Sequence, residues 1–204
     1  MELSNLLSGG VGALIILLIQ FVHKSIYEQR RLKVERDMLV SYINSIGRPC
    51  IERFKSDCEN AIKAIEPQNW NVKPEDQHSF SSMPALSTAF IDSFSNPRLM
   101  ELSCESNLFL KIINLNGNIK YLKSKMPLDM IEDYNRRVKN HFFENKITDP
   151  TIRFKEIENG ETINYFRSHS MKMIQIRIRN CEQCLLLSEE IISEFRKIKG
   201  PFDN

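Results

Sequence analysis

From Leu3 to Val22 the chain runs for twenty residues without a charge. Coiled as an α-helix, that run is about 30 Å long, the thickness of a bilayer's hydrocarbon core. A helix on the surface of a soluble bundle keeps a polar face, but Ala13–Ile19 is apolar on every side, which predicts a membrane environment. A cleaved signal peptide needs a basic leader and a small-residue cleavage motif. Here Glu2 is the only charged side chain before the run, and Phe21-Val22-His23-Lys24 follows it. The expectation is a retained anchor over residues 1–23, in contact with membrane lipid.

The flanks predict its direction. Lys24, Arg30, Arg31, Lys33 and Arg36 follow the run and no Lys or Arg precedes it. Positive residues stay on the cytoplasmic side. The N-terminus is therefore expected outside, with a juxtamembrane helix over 24–47 and a cytoplasmic domain over 48–204. Ser8 and Gly12, and Gly9 and Ala13, are spaced four apart. Such pairs of small residues let two membrane helices approach closely, so this face is a candidate contact in a homo-oligomer.

Beyond the anchor, composition sets limits. With 42% hydrophobic and 26% charged residues the chain is built to fold. Its scarcity of glycine (7 residues) favours long helices over a turn-rich β fold. A net charge of +2, with cations and carboxylates interleaved, gives no reason to expect nucleic acid as a partner. The five cysteines are an odd number without a disulfide framework, as a reduced compartment would have it.

Apolar spacing supplies the rest. Leu39, Ile43 and Ile46 continue the first helix until Gly47-Arg48-Pro49, which predicts a break. Ile51, Phe54, Cys58, Ile62 and Ile65 mark a second helix ending at Glu66-Pro67. Residues 66–83 show no period and read as an irregular loop carrying Trp70, a candidate partner contact. Pro84–Phe94 reads as a short helix. Asn96-Pro97 opens a longer one, whose seam is Leu108, Ile112, Leu115, Ile119, Leu122 and Met126, with Gly117 as a weak point. Leu128, Ile131, Val138 and Phe142 mark another helix, to about Asn145.

The region after Thr148 reads two ways. Asn159-Gly160 is a hairpin signal, and the alternation of Ile174, Ile176 and Ile178 fits a strand leading to Cys181-Glu182-Gln183-Cys184. A strand running into C-x-x-C at a helix start is how a dithiol redox site is built. Against it, Met171, Ile174, Ile178, Cys181, Leu185, Ser188, Ile192 and Phe195 step by threes and fours throughout. One helix over about Glu161–Ile198 explains all eight, with both cysteines in mid-helix.

No nucleotide-binding glycine loop, zinc-protease or nucleophile-elbow motif occurs. Zinc would need two ligands besides the C-x-x-C pair, and no second pair has chelating spacing. No catalytic residue, cofactor or metal is therefore assigned. Arg136, Arg137 and Lys139, with His141 and Phe142 beside them, form a basic patch that could take an anionic ligand or partner; otherwise they are the exposed side of an amphipathic helix. Arg177 and Arg179 read similarly.

The sequence thus predicts an all-α protein: a single N-terminal transmembrane helix followed by a cytoplasmic bundle of four or five antiparallel helices. The functional expectation is a membrane-anchored interaction or sensor module, non-enzymatic. The alternatives are a membrane-disturbing effector acting by oligomerisation and a tethered enzyme using Cys181 and Cys184.

Overall fold

The computed structural model describes residues 3–69 and 88–198, with side chains from residue 15 onward. Every regular element among the described residues is helical. The first spans Leu3–Tyr42 (α1) and passes through a five-residue π-turn, Ile43–Gly47, into Arg48–Ala64 (α2). Tyr42, Gly47 and Arg48 all keep right-handed helical angles, with φ of −60°, −61° and −59°. The break predicted at Gly47-Arg48-Pro49 is therefore absent, and one continuous helical rod stands where two helices were expected. A proline inside a helix lacks a donor and crowds the carbonyl four residues back. The wider winding of the π-turn just ahead of Pro49 accommodates both defects. It also changes the seam. Leu39 and Ile43 are buried, Ile46 is half exposed instead of packed, and the stripe resumes at Ile51, Phe54, Cys58, Ala61 and Ile65.

After residue 88 the chain forms Ala89–Asp92 (α3), Asn96–Ser103 (α4), Ser106–Lys123 (α5), Pro127–Glu144 (α6), Pro150–Asn159 (α7) and Glu161–Lys197 (α8). There are thus more and shorter helices than the four or five expected. One long helix after Asn96 is replaced by α4 and α5, because Cys104 turns left-handed (φ 57°) and Glu105 is extended. Gly117 causes no interruption in α5. Pro84–Ala85–Leu86–Ser87, the start of the predicted short helix, and residues 70–83 of the predicted loop, Trp70 among them, lie outside the described residues; the loop's start forms one 3-10 turn, Pro67–Asn69.

Helix α8 is the central element, packed on α2, α5, α6 and α7. It runs antiparallel to the rod: Arg48 pairs with Glu189 and Lys55 with Glu182, both at 2.8 Å. The strand-and-hairpin alternative is thereby resolved in favour of helix. Gly160 alone separates α7 from α8, and glycine is needed there because a Cβ would come within 2.5 Å of the Glu156 carbonyl oxygen. The buried stripe of α8 is Ile163, Arg167, Ser170, Ile174, Arg177, Cys181, Cys184, Ser188, Ile191, Ile192 and Phe195. It shares Ile174, Cys181, Ser188, Ile192 and Phe195 with the predicted seam. In between it takes Ser170, Arg177 and Cys184, where Met171, Ile178 and Leu185 were expected; those three flank the core, half-buried.

Arg177 is accordingly a core residue (4% exposed), not part of a basic surface. Its Nη1 donates to the carbonyls of Leu122 (3.0 Å) and Tyr121 (3.2 Å), and its Nη2 to Ser124 Oγ (3.3 Å). These carbonyls belong to the last turn of α5, where helical partners run out; Tyr121 O also accepts from the N–H (3.1 Å) and hydroxyl (2.7 Å) of Ser124. The same device recurs. Arg167 donates to the Ile157 carbonyl at the end of α7, and Arg36 Nε to Leu102 O at the end of α4 (2.7 Å). A guanidinium suits the task because it brings several donors and positive charge to the negative end of a helix dipole.

Candidate functional site

Two regions carry chemistry that the packing leaves unused. The first is the free part of α1. Ile15, Ile16, Leu17, Leu18, Ile19, Phe21 and Val22 are each more than half exposed, and no residue from 15 to 25 is covered. Apolar side chains therefore stand bare all round the helix. Leaving such side chains in water forgoes about 1.5–3 kcal/mol each. Among the described side chains no helix is long and apolar enough to cross a membrane, and residues 3–14, the first part of the uncharged run, lie outside that set. Ser8, Gly9, Gly12 and Ala13 fall within α1, with side chains outside the described residues.

Where the rod meets the bundle, a cluster of ions holds it. Arg98 Nε bonds Glu35 Oε2 (2.7 Å), Arg31 Nε bonds Glu35 Oε1 (3.0 Å), and Arg98 Nη1 bonds Glu101 (2.7 Å). The Arg98 guanidinium keeps the Glu35 carboxyl below its ordinary range. Arg36 adds a contact from Nη2 to Cys104 Sγ (2.8 Å). On the α5 side, Asp92 accepts from Lys120, Asn116 and Thr88, which hold its carboxyl well below its usual value.

The second region is a groove of about 900 Å³ between the end of α6, the turn after it and the start of α7. Its apolar surface comes from Phe142, Phe143, Ile147, Pro150 and Phe154, its cations are Lys139, Lys146 and Arg153, and Asn140 and Thr148 complete it. Phe143 is 86% exposed and Phe154 more than half exposed. Local sequence explains the shape. Lys139 and Phe143 lie one turn apart on one face of α6, and Lys146 follows just beyond its end. At the end of α6, Ile147 N–H donates to Phe142 O (2.9 Å) and Lys146 N–H to Phe143 O (3.1 Å). That is the double bond pattern in which the first residue beyond the cap is left-handed and usually glycine. Here it is Lys146, at φ 53°. Arg153 Nε then donates to Ile147 O (2.8 Å), with its guanidinium 5.5 Å from the Phe142 ring centroid, and so draws α7 against the turn. Lys139 and Lys146 have no ion-pair partner among the described residues.

The predicted basic patch is thus divided. Arg136 is exposed and paired with Asp133, Arg137 is exposed beside them, and Lys139 alone belongs to the groove. His141 is half-buried and Phe142 buried. Phe143, Lys146, Arg153 and Phe154 were not singled out from the sequence. The one usable signal was Lys146 after a helix end, where glycine is the ordinary choice.

The cysteine pair is placed as the long-helix reading requires. Cys181 and Cys184 are fully buried in the middle of α8, as is Cys58 in α2. Burial pushes the thiols of Cys58 and Cys184 up to about 12, and raises that of Cys181 too. This environment suppresses thiolate, whereas dithiol chemistry needs it stabilised. Among the described residues no group of three or more His, Cys, Asp or Glu could hold a metal ion. Comparison with family models, with curated proteins and with solved structures gives no match for this chain.

Proposed function

We propose that the chain is a single-pass, membrane-anchored interaction module that carries a helical bundle on a continuous rod. The reading rests chiefly on the bare apolar helix from Ile15 to Val22, exposed on all sides and continuous with an uncharged run long enough for a bilayer. A protein groove would cover one face of such a helix; lipid covers all of them. The basic residues that follow favour an outside N-terminus and a cytoplasmic bundle. Ser8, Gly9, Gly12 and Ala13 favour self-association of the anchor, with Gly9→Leu/Gly12→Leu in a membrane-helix dimerisation assay as its check. The bundle, with thiols suppressed and its ions used as ties between helices, supports binding rather than catalysis.

The test is alkaline carbonate extraction of membranes containing the full chain, beside a form lacking residues 1–23. Retention of the first in the pellet and release of the second is expected, with Cys104 labelled by an impermeant maleimide only after the cytoplasmic side is opened. Release of the full chain into the supernatant overturns the anchor, and labelling of Cys104 in sealed cells overturns the orientation.

A further inference from the structure

We propose that the groove formed by Lys139, Phe143, Lys146, Arg153 and Phe154 is the module's docking site for a short acidic peptide segment, bearing an aromatic or large aliphatic side chain, of a partner protein. Three observations converge. The surface pairs exposed aromatic rings with cations and contains no carboxylate among its lining residues. A ligand that is apolar along one side and anionic along the other complements both. Its volume, about 900 Å³, suits a few residues of chain. And Lys146 occupies a left-handed position where glycine is cheaper by about 1 kcal/mol. Backbone strain of this kind is retained where the side chain has a task. Lys146 is exposed and makes no ion pair within the described residues, so that task is not packing.

Other occupants fit less well. The rod rises about 1.5 Å per residue, so Ala64 stands about 60 Å beyond Val22. The salt bridges of the rod to α8 put α8 residues before about 173 beyond that level, and the groove adjoins the α7 end of α8. On the anchored reading, on which this step rests, the groove is many Debye lengths from the head groups. A second copy across a two-fold axis would set the same three cations against each other. A nucleic acid wants a continuous basic track, and Glu144, Asp149 and Glu156 interrupt one in the same elements.

The test is affinity selection of random twelve-residue peptides displayed on phage, using the full chain in detergent micelles, followed by fluorescence polarisation of the enriched peptides as synthetic, labelled probes. Enriched sequences are expected to combine two or more Asp or Glu with Phe, Trp or Leu. Phe143→Ser should weaken them at least tenfold. Lys146→Gly should weaken them at least fivefold while raising the melting temperature, a combination that damage to the fold cannot produce. No enrichment over empty micelles, enrichment without acidic bias, or affinity unchanged in both variants overturns the proposal. Displacement of the peptide by a single-stranded oligonucleotide or by phosphatidylserine vesicles does so too, and reassigns the groove. Because the selection is made in micelles, its outcome is independent of carbonate extraction, and either reading can fail alone.

Discussion

Replacing Arg177 by Met tests whether buried guanidinium groups hold this bundle together. The substitution keeps an unbranched side chain in the core but withdraws the guanidinium donors from the end of α5, leaving only those of Ser124, which reach Tyr121 O. Three bonds are lost, to Leu122 O, Tyr121 O and Ser124 Oγ, together with the stacking of the guanidinium 5.0 Å from the Tyr121 ring centroid. Bonds from a charged donor contribute about 1.5–3 kcal/mol each when considered singly. Two terms reduce the sum. One Nη1 serves both carbonyls, so the bonds are not independent. The buried Arg177 Nε has no acceptor among the described residues, and Met removes that unpaired donor and the cost of burying a charge. A net loss of about 2–4 kcal/mol follows, which for a chain of this size corresponds to a fall of about 5–15 °C in melting temperature. Circular dichroism at 222 nm on the full chain in mild detergent measures it. Arg177→Lys should fall between, since one ammonium cannot span two carbonyls and a hydroxyl. A Met variant within about 0.5 kcal/mol of the parent would refute the reasoning and show that solvent or backbone relaxation satisfies the α5 terminus without an arginine.

Three further outcomes follow from the same geometry. Gly117 is exposed in the middle of α5, and an added Cβ meets nothing within 4 Å, so Gly117→Ala should stabilise by about 1 kcal/mol in a denaturant titration. Glu35 and Asp92 have folded-state values below their ordinary 4.5 and 3.8, so the stability they contribute is complete above about pH 5 and lost as pH falls below those values. The melting temperature should therefore drop from pH 5 to pH 3, and drop less in Glu35→Gln. With iodoacetamide at pH 7.5, exposed Cys104 should be alkylated in the native protein while Cys58, Cys181 and Cys184 stay unmodified until it is unfolded, as mass spectrometry of peptides would show.

The helices were legible wherever burial repeats at threes and fours, because that period needs only one packed face. The seam of α5 and the length of α8 came through for this reason. What did not come through depended on backbone states that side-chain pattern does not encode. Gly47 and Pro49 spell a break, yet the π-turn lets helical winding continue, and no residue type marks a π-turn. Cys104 divides α4 from α5 by turning left-handed, a state for which cysteine gives no signal. Arg177 was misread because charge predicts exposure on average, while it and Arg167 answer a tertiary need, the carbonyls at neighbouring helix ends. The groove was half legible. Lys139 belongs to it, but its true neighbours come from α7 and the turn, brought there by Arg153, rather than from Arg136 and Arg137 next to it in sequence.

The unbroken run from α1 into α2 makes the position of the distal groove a matter of helical phase. A flexible linker would forgive insertions; a rod does not. For a chain held at Ile15–Val22, seven residues inserted after Lys24 would lift the groove about 10 Å and turn it by only about 20°. Five would lift it less, yet swing it to the far side, since each residue advances the helix by about 100°. On the proposed anchored reading, anything that meets the groove from a fixed place on the membrane is offered both a height and a bearing. The residues between Val22 and Arg36 then set both, including those that touch nothing.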